Sequence, residues 1–277
     1  MSGGSTVPRA ASEAPPEADP VLARCLQVLR RRPSALITDV DGTISAIAPR
    51  PEDATVPPAI AAALDRIADR VDLVAVITAR DEATARRMVG AQRVAYVGNY
   101  GLTPGAAVDG NGLRRARPVL ERELADLPCV TLEDKGLGLA LHYRNCAEPH
   151  AVRRRLLDVA GRAAAEADAR ILEGKMVVEL APRSLPDKRS AFLHLLAEKG
   201  SRGVVYLGDD LSDVPVFREL AAGRADGRWD GASVAVVDAE TDPIVREAAD
   251  FEVDGVGAVE RLLTGLASAP GEGGAGG

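Results

Sequence analysis

The chain has 277 residues, 46% apolar and 27% charged, enough for a sizeable core in one large domain or two smaller ones. With 34 basic against 41 acidic residues the net charge is −7. That excludes the basic footprint of a nucleic-acid binder and the polybasic patch of a membrane-surface protein, and no apolar run approaches the ~18 residues of a membrane span.

Residues 1–20, "MSGGSTVPRAASEAPPEADP", are small, polar and proline-rich. They lack the charged-then-apolar order of a signal peptide and are expected to form a disordered tail. "ALIT" (35–38) predicts a buried strand, followed by a helix over 58–69. "VDLVAVIT" (71–78) predicts a second strand, with a helix starting near Asp81, and "RVAYVG" (93–98) a third. Each run is short, β-branched and apolar on both faces, as parallel strands covered by helices should be.

The pattern changes over 109–182. Hairpins and two helices are expected there, through "VDGNGL", "ERELADL", "CVTLEDKGLGLALHYRN", an Ala/Arg-rich helix near 149–168, and "RILEGKMVVELAP". The α/β pattern resumes at "DKRSAFLHLLAEKG", whose helix carries a glycine stop at Gly200, and continues with strands "SRGVVYLG" (201–208) and "ASVAVV" (232–237). The expected fold is therefore α/β, a Rossmann-like doubly wound parallel sheet with an inserted α+β cap. The core would comprise 21–108 and 183–266, the cap 109–182, and a second disordered tail 267–277. Cys25, Cys129 and Cys146 have no C-x-x-C spacing and read as reduced thiols of a cytoplasmic protein.

"ITDVDGT" places Asp39 and Asp41 at the carboxyl end of the first strand, where ligands bind in open α/β sheets. Residues two apart on a strand point the same way, so two carboxylates in a partly buried cleft need a cation or a shared proton. Gly42 permits a tight turn there. "VAVITAR" delivers the Thr78 hydroxyl past a second strand, suited to a phosphate oxygen. "YLGDDLSD" delivers Asp209, Asp210 and Asp213 past another, hard oxygen ligands suited to Mg²⁺. "PDKRSAF" starts a core helix at Lys188. Together these form a phosphoryl-transfer constellation. No Walker motif occurs.

In order and in flanking strands, D-x-D-G-T, the strand ending in Thr, the Lys and G-D-D-x-x-D resemble the haloacid dehalogenase superfamily of phosphatases. The resemblance implies that Asp39 attacks phosphorus to form an aspartyl-phosphate and that Asp41 is the acid and base. It also implies that Thr78 and Lys188 bind phosphoryl oxygens. Mg²⁺ would be held by Asp39, the Asp41 carbonyl and Asp209, with Asp210 and Asp213 in support.

In the cap, an extended "GLALHYR" would put Gly138, Ala140, His142 and Arg144 on one face, and "KMVVE" would put Lys175 and Glu179 on one face with Val177 between. Lys, His, Arg and Glu suit a polyhydroxylated anion, and at 3% aromatic content hydrogen bonds must carry sugar recognition. These segments, with "GNYGL" and "YLGDDLSD", resemble the trehalose-6-phosphate phosphatases over roughly residues 34–263. That match implies substrate contacts from Arg80, Asn99, Lys135, His142, Arg144, Lys175 and Glu179, with Glu133 a further candidate. It implies trehalose 6-phosphate as substrate and a functional link to a trehalose-phosphate synthase. The alternatives are another sugar phosphate, a phosphoglycerate conjugate, or a catalytically silent sugar-phosphate-binding module. Departures from the family pattern are Tyr100 for His, Thr103 for Glu, Ser212 for Thr and Val214 for Glu. They bear on substrate identity more than on the reaction. His150 and His194 lack metal-ligand spacing, and Trp229, in a Gly/Asp-rich loop, reads as a surface anchor or a lid.

Overall fold

In the computed structural model, which describes residues 19–48, 50–101, 111–135 and 138–269, the first described element is helix α1 (Pro20–Leu29). The Asp19 carboxylate caps it by accepting the Val21 and Leu22 N–H groups. Strand β1 (Ser34–Thr38), helix α2 (Pro58–Ile67), β2 (Leu73–Ile77), α3 (Glu82–Val89) and β3 (Ala95–Val97) follow. Then come α4 (Asn111–Glu123), β4 (Thr131–Asp134), β5 (Leu139–His142), α5 (Pro149–Ala167), β6 (Ala169–Gly174) and β7 (Val177–Pro182). The chain continues through α6 (Lys188–Lys199), β8 (Gly203–Gly208), α7 (Val214–Ala225), β9 (Asp230–Val237), α8 (Pro243–Ala248), β10 (Phe251–Asp254) and α9 (Gly255–Ser268). The expected tails at 1–20 and 267–277 lie mostly outside the described residues. Where they overlap, α1 begins at Pro20 and α9 runs to Ser268.

Among the described residues, one six-stranded sheet has the order β10-β9-β8-β1-β2-β3, and every pairing in it is parallel. Alternate residues of each strand face opposite layers. Leu36, Val74, Val76, Val205 and Leu207 pack with α1, α2 and α9. Ala35, Ile37, Ala75, Ile77, Val204 and Tyr206 pack with α6 and α7. Both faces are covered, which is why the strands read as unbroken apolar runs.

Inserted between β3 and α6, a four-stranded antiparallel sheet has the order β4-β5-β7-β6. Helices α4 and α5 back one of its faces through Leu113, Leu120, Leu156 and Ala160. The expected helix at "ERELADL" lies earlier in the chain, as α4, and "VDGNGL" is not a described hairpin. Its last three residues open α4 and its first three lie outside the described residues. Pro118 lies inside α4, and Leu113, Ala116, Leu120 and Leu124 form a buried stripe at helical spacing past it.

Cys129 and Cys146 form a disulfide, which corrects the expectation of reduced thiols. The two are 17 positions apart, and the β4–β5 hairpin brings them together. Cys25 is free and buried, as expected. Trp229 packs against the core, its Nε1–H donating to the Leu220 carbonyl. Its ring stacks edge-on against Phe192 and lies over Gly223, where a Cβ would sit 2.1 Å away.

Candidate functional site

Parallel register aligns the strand ends. Thr38 pairs with Leu207 on β8 and with Val76 on β2, so Asp39, Thr78 and Asp209 emerge at the same edge of the sheet. The Asp39 N–H donates to the Leu207 carbonyl, extending the ladder one residue beyond β1. The chain then turns sharply. Gly42 holds φ of 88°, and its N–H donates to the Ser45 carbonyl at 2.7 Å. A Cβ on Gly42 would lie 1.8 Å from Asp209 Oδ2, so the turn needs glycine for its dihedral and for its closeness.

Lys188 is the first residue of α6, behind a capping box formed by Asp187 and Ser190. A cation at a helix N-terminus is electrostatically unfavourable, and this one is only 3% exposed. Carboxylates offset both costs. Nζ lies 2.8 Å from Asp213 Oδ1, 3.0 Å from Asp39 Oδ2 and 3.8 Å from Asp210 Oδ1. Burial works against the ammonium, but Asp213, Asp39 and Asp210 together hold it charged well above the ordinary lysine range. Burial pushes Asp39 and Asp209 well up, reinforced by the neighbouring carboxylates and only partly opposed by Lys188.

Asp213 is fully engaged. Its Oδ1 accepts the Lys188 ammonium and the Tyr206 hydroxyl, the latter at 2.6 Å. Its Oδ2 accepts the N–H groups of Asp209 and Asp210. Asp209 differs. Oδ1 accepts the Thr43 hydroxyl at 2.9 Å, while Oδ2 is buried with no partner. A buried carboxylate oxygen without a donor is costly unless a cation completes it. Asp39, Asp209 and Asp213 each offer an oxygen within 4.8 Å of the others. The donor set is all hard oxygen, so these residues fit a divalent cation of the Mg²⁺ kind.

Above this edge lies a cleft of about 710 Å³ lined by both the parallel sheet's loops and the antiparallel sheet. Cross-strand pairing gives its roof two rows, Thr131–His142–Val177–Gly174 and Glu133–Ala140–Glu179–Leu172. Seven of those residues line the cleft, and the eighth, Ala140, is the small floor between the two glutamates. His142 Nε2 lies 2.7 Å from Glu133 Oε2, and this contact outweighs burial and holds the Glu133 carboxyl below its usual range. Lys135 Nζ donates to Glu179 Oε2 at 3.2 Å. A Cβ on Gly138 would meet Glu179 at 2.9 Å, so that glycine admits the carboxylate.

Every residue singled out from the sequence for catalysis or substrate contact lines this cleft: Asp39, Asp41, Thr78, Lys188, Arg80, Asn99, Lys135, His142, Arg144, Lys175 and Glu179. Several are placed otherwise than expected. Arg80 grips Asp41 in a fork, Nε to Oδ2 and Nη2 to Oδ1, both 2.7 Å. Arg144 lies beyond the end of β5, and its Nη1 donates to the Ala48 carbonyl at 2.6 Å. Lys175 is in the turn between β6 and β7, not on a strand face with Glu179, and it donates to Asp238. Tyr100 has φ of 56° and is buried against Ala181 and Leu185. Burial is the main reason its phenol is pushed well up. Thr103 lies outside the described residues, and His150 and His194 are exposed on α5 and α6. Sequence reasoning missed the contacts of Thr43, Tyr206 and Asp238. Thr43 had a signal, as the last residue of D-x-D-G-T, while Tyr206 and Asp238 had none.

The trehalose-phosphatase family model matches residues 37–254. The chain belongs to the trehalose-phosphatase family. It is 34% identical over 232 residues to a trehalose-phosphate phosphatase of Mycobacterium avium, covering 76% of this chain and 58% of that protein. It is 33% identical over 222 residues to the Mycobacterium tuberculosis counterpart, covering 73% and 55%. The chain thus spans a little over half the length of the curated relatives it matches. The C-terminal domain of Candida albicans trehalose-6-phosphate phosphatase superposes with TM-score 0.75 at 19% identity, covering 89% of this chain and 96% of that one. A haloacid dehalogenase-like hydrolase from Bacteroides thetaiotaomicron gives 0.55 at 12%, covering 84% and 99%. These likenesses establish the fold, a haloacid dehalogenase-type parallel core carrying a cap. No helix among the described residues is long and apolar enough to cross a membrane.

Proposed function

We propose that this chain removes phosphate from trehalose 6-phosphate through an aspartyl-phosphate on Asp39. The observation that carries the reading is the Asp39–Lys188–Asp213 chain of contacts beside the unpartnered Asp209 oxygen, under a roof of paired Glu, His and Lys. An Asp39 oxygen attacks phosphorus and the bond to the sugar oxygen breaks. Lys188 neutralises the nucleophile's surroundings and donates to phosphoryl oxygens, as does the Thr78 hydroxyl. Asp41 gives a proton to the leaving sugar oxygen, then takes one from the water that attacks the aspartyl-phosphate and releases Asp39 as carboxylate. A guanidinium fork occupies both Asp41 oxygens, so donation requires that fork to open. Asp39, Asp209 and the Asp41 carbonyl would hold Mg²⁺, which when bound supplies charge stabilisation at the phosphoryl group. Asp213 fixes Lys188, and Asp210 supports the acidic loop.

The cleft volume lies within the roughly 300–1,000 Å³ of small-molecule sites and leaves room beyond one sugar ring. Glu133, Lys135, His142 and Glu179 offer donors and acceptors to sugar hydroxyls, with Arg144, Lys175 and Asn99 at the rim. The name of the family and the mycobacterial and Candida relatives support trehalose 6-phosphate. A functional link to a trehalose-phosphate synthase would supply it.

The test is phosphate release from trehalose 6-phosphate beside a panel of other sugar phosphates and phosphoglycerate conjugates. Each is run with Mg²⁺, with EDTA, and with Asp39→Asn. Mg²⁺-dependent release that prefers trehalose 6-phosphate and disappears in Asp39→Asn is expected. No release from any sugar phosphate would leave a binding module. Release from other sugar phosphates alone would overturn only the substrate assignment.

A further inference from the structure

Lys175 occupies the turn between β6 and β7, beside Met176 at φ of 58°. This turn reaches down onto the core. A Cβ on Gly174 would lie 2.9 Å from Asp210 Oδ2, so the backbone of the turn comes close to the acidic loop. The Lys175 ammonium donates to Asp238 Oδ2, and the lysine side chain is 13% exposed.

Asp238 follows β9 on the core and is itself held rigidly. Its Oδ1 accepts the Glu240 N–H at 2.9 Å and the Thr241 hydroxyl at 3.2 Å. Its own N–H donates to Thr241 Oγ1 at 2.9 Å, and its carbonyl accepts Arg246 Nη2 at 2.7 Å. The acceptor is therefore in place whether or not the lysine meets it. The two residues are 63 positions apart, one in a turn of the antiparallel sheet and the other just past a strand of the parallel sheet.

We propose that Asp238 is a positioning residue for the reaction, fixing the Lys175 ammonium and the β6–β7 turn over the cleft mouth. The proposal rests on the sugar-phosphate phosphatase reading above. Lysine is a point charge on a flexible four-carbon stem, and a free one must be ordered each time an anionic ligand binds. Asp238 removes that cost in advance. The Asp238 side chain is 45% exposed, so solvent screens its end of the pair and limits what the contact contributes to folding. Its effect appears in substrate binding and not in thermal stability.

Asp238→Asn tests this, because asparagine keeps an Oδ1 acceptor for Glu240 and Thr241 and loses the charge. KM for the sugar phosphate that the wild type hydrolyses should rise about three- to tenfold, the cost of ordering one long side chain. kcat and Tm should stay near wild type. In protein without substrate, amide hydrogen exchange across 172–178 should quicken while β1 and β8 stay protected. Lys175→Met should raise KM, and adding Asp238→Asn to it should change nothing further. An unchanged or lowered KM in Asp238→Asn, additive effects in the double variant, or unchanged exchange at the turn would each overturn the proposal. The exchange arm needs no substrate, so the two failures are distinct: unchanged exchange overturns the fixing of the turn by Asp238, whereas no phosphate release from the wild type overturns the phosphatase reading.

Discussion

Replacing Lys188 with methionine isolates the charge at the centre of the site. Methionine has nearly the same length, so the change removes a cation and leaves little void. The wild-type ammonium touches Asp39 and Asp213 at 3.0 and 2.8 Å, and both side chains are almost fully buried, 7% and 0% exposed. Removing one partner of a buried pair typically costs about 3–5 kcal/mol. Part of this is recovered, because burial raises Asp39 and the carboxyl takes up a proton. The expected net loss is therefore about 2–4 kcal/mol at neutral pH, a Tm lower by roughly 5–15 °C. The pH dependence has a definite sign. A carboxyl whose folded pKa lies above its unfolded value near 3.8 destabilises the fold increasingly as pH rises through that interval. The deficit should thus shrink as metal-free protein is taken from neutral pH towards acid. Phosphatase turnover should fall by about 10²–10³, the scale of one lost charge stabiliser. Thermal melts across pH and steady-state assays check all of this. A Tm within about 2 °C of wild type together with kcat within about tenfold would refute the assignment.

Gly42→Ala would drive a methyl group to within 1.8 Å of Asp209 Oδ2. Divalent-cation affinity, measured by calorimetry, should collapse together with activity, while Lys188 keeps its partners. Glu219 is buried and bonded to Arg228 and Arg189, contacts that outweigh burial and hold its carboxyl below the ordinary 4.5. Its contribution is present above that value and is lost as pH falls through the lower, folded one. Glu219→Gln should accordingly cost about 1 kcal/mol near neutrality, modest because both guanidinium groups are well exposed, and nothing in strong acid by denaturant titration. The Cys129–Cys146 bond closes a loop between residues 17 apart, which in the chain-entropy picture stabilises by about 3 kcal/mol. Reducing agent should lower the wild-type Tm and leave that of Cys146→Ser unchanged.

The chain's own pattern determined the parallel core, the insertion and the strand-end chemistry. Asp39, Asp41, Thr78 and Asp209 were legible because each closes a short apolar run, and strand ends in a parallel sheet converge by geometry alone. Lys188 was legible only in their company. What the pattern could not carry was partnership between distant positions. Hydrophobic period reports which face of an element is buried, not which element covers it. The Arg80 fork on Asp41 spans 39 positions, the Lys175–Asp238 contact 63, and the Thr43–Asp209 bond 166. The helix expected at "ERELADL" begins earlier, at Asn111, and three scattered cysteines gave no sign that the β4–β5 hairpin would pair two of them. Lys175 left its expected strand face because the chain reverses at residues 175–176, between β6 and β7. Local chemistry set which groups reach the cleft. Tertiary packing decided which of them are free to meet a ligand, because each buried charge takes the partner that folding brings nearest.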